Sequence, residues 1–168
     1  MKREYSLVVL PLLLLPLYIF VSCEESSLEN QFHYPPKNED EVTISQGVWG
    51  NVWFWEGNFM PVIDPTQAKI TPVIRDISIY EATTNSMVES FGGIFFTKIN
   101  STLITTIQSD EGGFFEVSLA PGKYSFFVKE DTLFYANEWD GKGYILSATV
   151  TENKITERQI DITYKAVF

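Results

Sequence analysis

The chain has 168 residues and a formal net charge of −10, with one cysteine and one histidine. A single cysteine cannot form an internal disulfide, and together with one histidine it cannot build a Cys/His zinc site. The acidic surplus argues against electrostatic binding of nucleic acid, and 15% aromatic residues are too many for a disordered chain. We therefore expect a folded domain that needs no disulfide, cofactor or nucleic-acid partner.

The first 22 residues have the composition of a secretory signal. Lys2 and Arg3 form a short basic region, and the apolar stretch 7–20 that follows is interrupted only by two prolines. This stretch is shorter than the roughly 20 residues that span a bilayer, and its prolines disfavour a stable helix. We interpret residues 1–22 as a cleaved signal peptide.

The junction Phe20-Val21-Ser22-Cys23 resembles a bacterial lipobox, with an apolar residue at −3, a small residue at −1 and cysteine at +1. The resemblance implies cleavage before Cys23, diacylglycerol on its sulfur and acylation of the new N-terminus with a fatty acid such as palmitate. Two or more acyl chains anchor a protein stably. An ordinary signal peptide followed by an incidental cysteine is the alternative.

A lipid anchor at Cys23 implies a location at the bacterial outer membrane, with the domain in the periplasm or on the cell surface. Glu24-Glu25 resembles the acidic surface-export signal of Bacteroidetes lipoproteins, although a plain acidic spacer would look the same. The polar, acidic stretch 23–44 contains Pro35-Pro36 and predicts an extended tether. His33 lies in this tether without a partner cluster, so we expect a solvated side chain.

Residues 45–168 predict an all-β domain, because β-branched and aromatic runs alternate with Gly, Asn, Asp and Pro. No segment shows a capped apolar period of 3.6 residues, so little helix is expected. Alternation of apolar and polar residues is typical of antiparallel sheets packed as a sandwich, with one face buried and the other exposed to solvent. Strands are predicted at about 46–56, 73–82, 93–98, 102–108, 113–119, 122–130, 143–151 and 155–165.

Two turn motifs resemble the carboxypeptidase regulatory-like domain. The stretch 107–117 (IQSDEGGFFEV), followed by 119–124 (LAPGKY), is similar to the family's T-x-x-D-G-x-F and L-x-P-G-x-Y patterns, and 47–52 (GVWGNV) is similar to its early strand. The resemblance covers about residues 45–165. It implies a transthyretin-like (prealbumin-like) antiparallel β-sandwich of about seven strands with Greek-key connections, as in small Bacteroidetes-type lipoproteins.

The same resemblance implies an accessory domain rather than a peptidase, because the family's zinc-dependent catalysis belongs to a separate module. A Ser-His-Asp triad needs a histidine on the scaffold, whereas His33 lies in the predicted tether. No nucleophile elbow or phosphate-binding glycine loop is present in the sequence. We expect a non-catalytic interaction or structural domain with an unknown protein or glycan partner.

The run 47–56 (GVWGNVWFWE) is apolar on both faces of its predicted strand. Trp49, Trp53 and Trp55 share one face, where they could form an exposed platform for sugar rings or a protein. The alternative is that the loop 58–71 or the expanded connection 86–102 covers them. Burial of the three tryptophans would exclude the platform.

One group of hard oxygen ligands is a weak candidate for calcium, namely Asp131, Asn137, Glu138 and Asp140. Their spacing does not match an EF-hand loop. A solvated acidic loop is the alternative interpretation.

Overall fold

The computed structural model describes residues 33–60 and 68–168. The predicted signal peptide 1–22, Cys23 and the tether up to residue 32 lie outside the described residues. Within these ranges the chain forms twelve strands and two short 3-10 turns, Glu39–Glu41 and Asn85–Met87. No helix in the described part of the chain is long and apolar enough to cross a membrane.

The twelve strands follow the predicted runs closely but divide them more finely. They are β1 Gly47–Asn58, β2 Lys69–Pro72, β3 Asp76–Glu81, β4 Val88–Phe91, β5 Phe95–Ile99, β6 Leu103–Gln108, β7 Phe114–Val117, β8 Gly122–Glu130, β9 Leu133–Tyr135, β10 Ser147–Val150, β11 Ile155–Glu157 and β12 Ile160–Val167. The all-β, two-sheet prediction is confirmed. The expected count of about seven strands is too low, because several strands are pieces of three or four residues.

The five-stranded sheet is built around β1, which pairs with a different strand along each half of each edge. On one edge β11 and then β12 run parallel to it, and on the other edge β7 and then β2 run antiparallel to it. The prediction of a single strand over 155–165 is replaced by β11 and β12, which are separated by Arg158 and Gln159. β1 is therefore the central element of this sheet.

The seven-stranded sheet has the order β4-β5-β9-β8-β3-β6, with β10 paired to the start of β8. The predicted expanded connection 86–102 contains the hairpin of β4 and β5. Gly92 and Gly93 form its turn with φ of 74° and 90°, a conformation that glycine adopts without steric cost. β6 ends the sheet and pairs only with β3 among the described residues.

The inner faces of the two sheets form the main core. Alternate residues of β1 and β12 pack against alternate residues of β3 and β8, and all of them are fully buried or nearly so. The members of this layer are Val48, Val52, Phe54, Ile77, Ile79, Phe126, Val128, Ile160 and Ile162. Burial of this apolar surface is the main stabilising contribution to the domain.

The segment 34–44 lies against the domain, which differs from the extended tether predicted over 23–44. Asn51 donates from Nδ2 to Oδ1 of Asn38 over 2.6 Å, and the Thr43 amide donates to Oε2 of Glu116 over 2.8 Å. Lys37 forms an ion pair with Glu157. The polar residues that suggested a free spacer are partners of β1, β7 and β11, so the domain surface begins near Tyr34 rather than at residue 45.

Candidate functional site

The tryptophan face of β1 is largely covered. Trp49 and Trp53 have exposed fractions of only 6% and 5%, and Trp55 is half-buried. The predicted exposed platform of Trp49, Trp53 and Trp55 is therefore wrong, since two of its three rings cannot reach a ligand.

Neighbouring aromatic and apolar residues explain this burial. Trp53 packs with Phe59 and Ile70 in a small separate cluster, and the Tyr34 ring lies 6.2 Å from the Trp53 ring. Phe59 follows β1 and Ile70 lies in β2, so both ends of the stretch 58–71 cover Trp53; residues 61–67 of the predicted covering loop lie outside the described residues. The connection 86–102 belongs to the other sheet and contributes nothing here. Tyr34 was placed in the tether, and the sequence offered no signal that it packs on β1.

Trp55 is held by a partly buried carboxylate. Its Nε1 donates to Oδ1 of Asp161 over 3.0 Å, and the Gln159 amide donates to the same oxygen. Burial raises the pKa of the Asp161 carboxyl, and the two hydrogen bonds oppose that rise. Asp161 therefore acts as a structural acceptor that fixes the Trp55 indole.

An aromatic and apolar patch surrounds Trp55 at the C-terminal end of β1. The Trp55 ring lies 5.6 Å from Tyr34, 5.0 Å from Phe59 and 6.1 Å from Phe168. Phe59 is buried beneath the patch, whereas Phe168 is 68% exposed. We call this surface the β1-end patch; its rings are Tyr34, Trp55 and Phe168, and the exposed Met60 and Val167 lie at the same end of the sheet.

The predicted calcium loop is occupied by hydrogen bonds within the protein. Asp140 accepts from Nζ of Lys123 over 2.7 Å and from the amides of Lys142 and Tyr144 over 2.9 Å each. The Lys123 ammonium, followed by these amides, holds the pKa of the Asp140 carboxyl well below its usual range. The carboxylate therefore closes the loop and is not turned outward as a free ligand.

The other proposed calcium ligands have separate partners. Glu138 forms an ion pair with Arg158 over 2.6 Å, and Asn137 donates to Oγ1 of Thr163 over 3.0 Å. Asp131 lies in the turn between β8 and β9 with φ of 51°. Across residues 33–60 and 68–168, no three His, Cys, Asp or Glu side chains are grouped to hold a metal ion. The structure thus gives no support to the calcium candidate.

A small cleft beside this loop was not singled out from the sequence. It is lined by Glu138, Trp139, Asp140, Leu146, Ser147 and Arg158. Trp139 is 39% exposed, and its Nε1 donates to Oδ1 of Asn85 over 2.9 Å. Nε of Arg158 is buried and has no hydrogen-bond partner within residues 33–60 and 68–168. An open indole beside a guanidinium and a carboxylate can stack on and hydrogen-bond to a polar ring.

The free edge of β6 is the second surface that the sequence did not indicate. The strand reads LITTIQ, and the stretch 99–109 contains no charged residue although the chain carries −10. Leu103 and Ile104 are about half exposed. Because β3 is the only described neighbour of β6, the other edge of its backbone is open to pairing with an added strand.

His33 is exposed at the start of the described chain, as the sequence predicted.

No family model matches the chain, and neither the search of curated proteins nor the search of solved structures finds a match. The resemblance to the carboxypeptidase regulatory-like domain and the lipobox at Cys23 accordingly stay predictions.

Proposed function

We propose that this protein is a non-catalytic lipoprotein that is anchored in the outer membrane through Cys23 and presents a transthyretin-like β-sandwich as an interaction module. The open, uncharged edge of β6 is the observation that supports the interaction role best. The lipobox supports the anchor, and the turn motifs support the fold family.

The edge of β6 lacks two protections that natural sheets usually have. Edge strands are normally guarded by charged side chains, proline or a bulge, and β6 has neither charge nor proline. One bulge interrupts its pairing near Leu103, but residues 105–108 pair regularly with residues 76–79 of β3. An extended segment of a partner can add to this regular stretch through main-chain hydrogen bonds.

Site-specific photo-cross-linking in native membranes tests the interaction role. A photoreactive residue at Thr106 should capture a defined partner, whereas the same residue at Thr97 should not. Thr97 is a matched control, because it is exposed on β5, which has neighbours on both sides. Ile104→Lys should abolish the Thr106 adduct by placing a charge on the edge. Equal capture from both positions, or an adduct that survives Ile104→Lys, would contradict the proposal.

Incorporation of a palmitate analogue tests the anchor separately. The wild-type protein should take up the label and fractionate with outer membranes. Cys23→Ser should lose both properties while the domain remains folded. Membrane fractionation of Cys23→Ser at the wild-type level would refute anchoring through this residue.

Glycan binding is a second candidate function, and the exposed Trp139 is the observation that favours it. Trp49 and Trp53 are buried and cannot serve this role, whereas the Trp139 indole lies beside the Glu138–Arg158 pair. A glycan-array signal that is lost in Trp139→Ala and kept in Trp53→Phe would support this candidate. A signal unaffected by Trp139→Ala would exclude Trp139 as the sugar platform.

A further inference from the structure

The β1-end patch joins the half-buried Trp55 ring to the exposed rings of Tyr34 and Phe168. Ring contacts run from Tyr34 through Trp55 to Phe168, and the Phe59 amide donates to the Val167 carbonyl over 2.8 Å. Val167 and Phe168 are 57% and 68% exposed. Tryptophan and tyrosine favour the boundary between water and lipid, because each combines a large apolar ring with a polar group.

The direction of the segment 34–44 places this patch where the chain leaves toward Cys23. Thr43 contacts Glu116, which pairs with Trp49, while Asn38 contacts Asn51 further along β1. Tyr34 contacts Trp53 and Trp55 near the end of the strand. The segment therefore runs along β1 toward the patch. Cys23 lies eleven positions before Tyr34, a span of at most about 40 Å.

Two lysines lie at the same end of the sheet as the patch. In the sheet register, Glu56 stands between Lys165 of β12 and Lys69 of β2. Both lysines are exposed, and they project from the face of Phe54, over whose ring Nζ of Lys165 lies at 5.6 Å. Trp55 projects from the other face, where it is hydrogen-bonded to the Asp161 carboxylate. If this end of the sheet, rather than one of its faces, meets a bilayer, both lysines can reach lipid phosphate while their stems cover apolar surface.

We propose that the β1-end patch rests in the headgroup region of the bilayer that holds the lipid on Cys23. This inference depends on the proposed lipid anchor and adds an orientation to it. The sheet end with Trp55 and Phe168 faces the membrane. The opposite end of β1, where Gly47 donates to the carbonyl of Lys154, lies about 36 Å further out.

Spin labels on the lipidated protein in phospholipid vesicles test this orientation. Because Cys23 is the only cysteine and would be acylated, Val167→Cys introduces the only free thiol for a nitroxide. Glu152→Cys is the matched control, since Glu152 is exposed in the turn beside Lys154. The label at 167 should collide more with oxygen, which enriches in lipid, than with a water-soluble nickel chelate. The label at 152 should show the reverse, and Met60→Cys should repeat the result for 167.

The possible failures are distinguishable. A protein that carries acyl chains and binds vesicles, but whose labels at 167 and 60 match the label at 152, overturns the orientation and leaves the anchor intact. A protein without acyl chains that stays in solution overturns both proposals. Labels at 167 that are shielded from both reagents and lie close to each other in pulsed dipolar spectra would show a second copy on the patch, which also overturns the inference.

Discussion

Replacement of Trp53 by alanine should destabilise the domain strongly. The side chain is 5% exposed and packs between Phe59 and Ile70. An indole buries roughly 200 Å², and at about 25 cal/mol per Å² this corresponds to about 5 kcal/mol. Measured Trp→Ala changes in cores cost about 3–5 kcal/mol, so we expect about 4 kcal/mol.

Equilibrium unfolding in urea measures this loss. With an m-value of about 2 kcal/mol per M, the midpoint should fall by about 2 M. Trp53→Phe should stay within about 1 kcal/mol of the wild type, because the smaller ring leaves a gap but also removes an indole N–H that is buried without a partner among the described residues. Trp139→Ala is the exposed control. If the urea midpoint of Trp53→Ala were close to that of Trp139→Ala, Trp53 would not be packed in a buried cluster. The argument that burial excludes the tryptophan platform would then fail.

Two further predictions test the backbone approach at β1 and a buried phenol. Gly50→Ala should lower the free energy of unfolding in urea by about 3 kcal/mol or more, because a Cβ there would lie 1.9 Å from the Arg158 carbonyl oxygen. Gly141→Ala is the control. A Cβ at that position meets no described atom within 4 Å, so the free energy of unfolding should change little. Burial, with a hydrogen bond to Glu130, raises the pKa of Tyr164 to about 12. Ultraviolet titration should show this phenol ionising last among those that ionise in the folded state. The contribution of the neutral Tyr164 phenol to stability is fully present below pH 10 and should be lost as the pH rises toward 12. Glu130→Gln should lower the pKa of Tyr164. An unchanged pKa in that variant would contradict the hydrogen bond from Tyr164 to Glu130.

The local content of the fold was predictable, because alternation reports which residues face the core. The runs at 46–56, 102–108 and 122–130 agree with β1, β6 and β8 to within two residues at each end. The strands β2, β4 and β9 were missed, since each has only three or four residues. The parallel pairing of β1 with β12 joins residues more than 100 positions apart, and no local pattern encodes it.

The candidate surfaces were less predictable, because a side chain's partner decides its role. The sequence showed that both faces of the tryptophan strand are apolar, but it did not show that Tyr34 lies on them. The acidic loop around Asp140 resembled a cation site, although Lys123 already neutralises that carboxylate. The edge position of β6 depends on the order of strands, which composition does not reveal.

The docked segment 34–44 also has a mechanical consequence. A force applied at residue 33 acts first on the contacts of Tyr34, Asn38 and Thr43, and the core strands bear load only afterwards. Release of the eleven docked residues would add roughly 35–40 Å of free chain to the connection without unfolding the sandwich. Detachment of the segment therefore supplies additional chain length, so that the connection can extend under force before the two sheets separate.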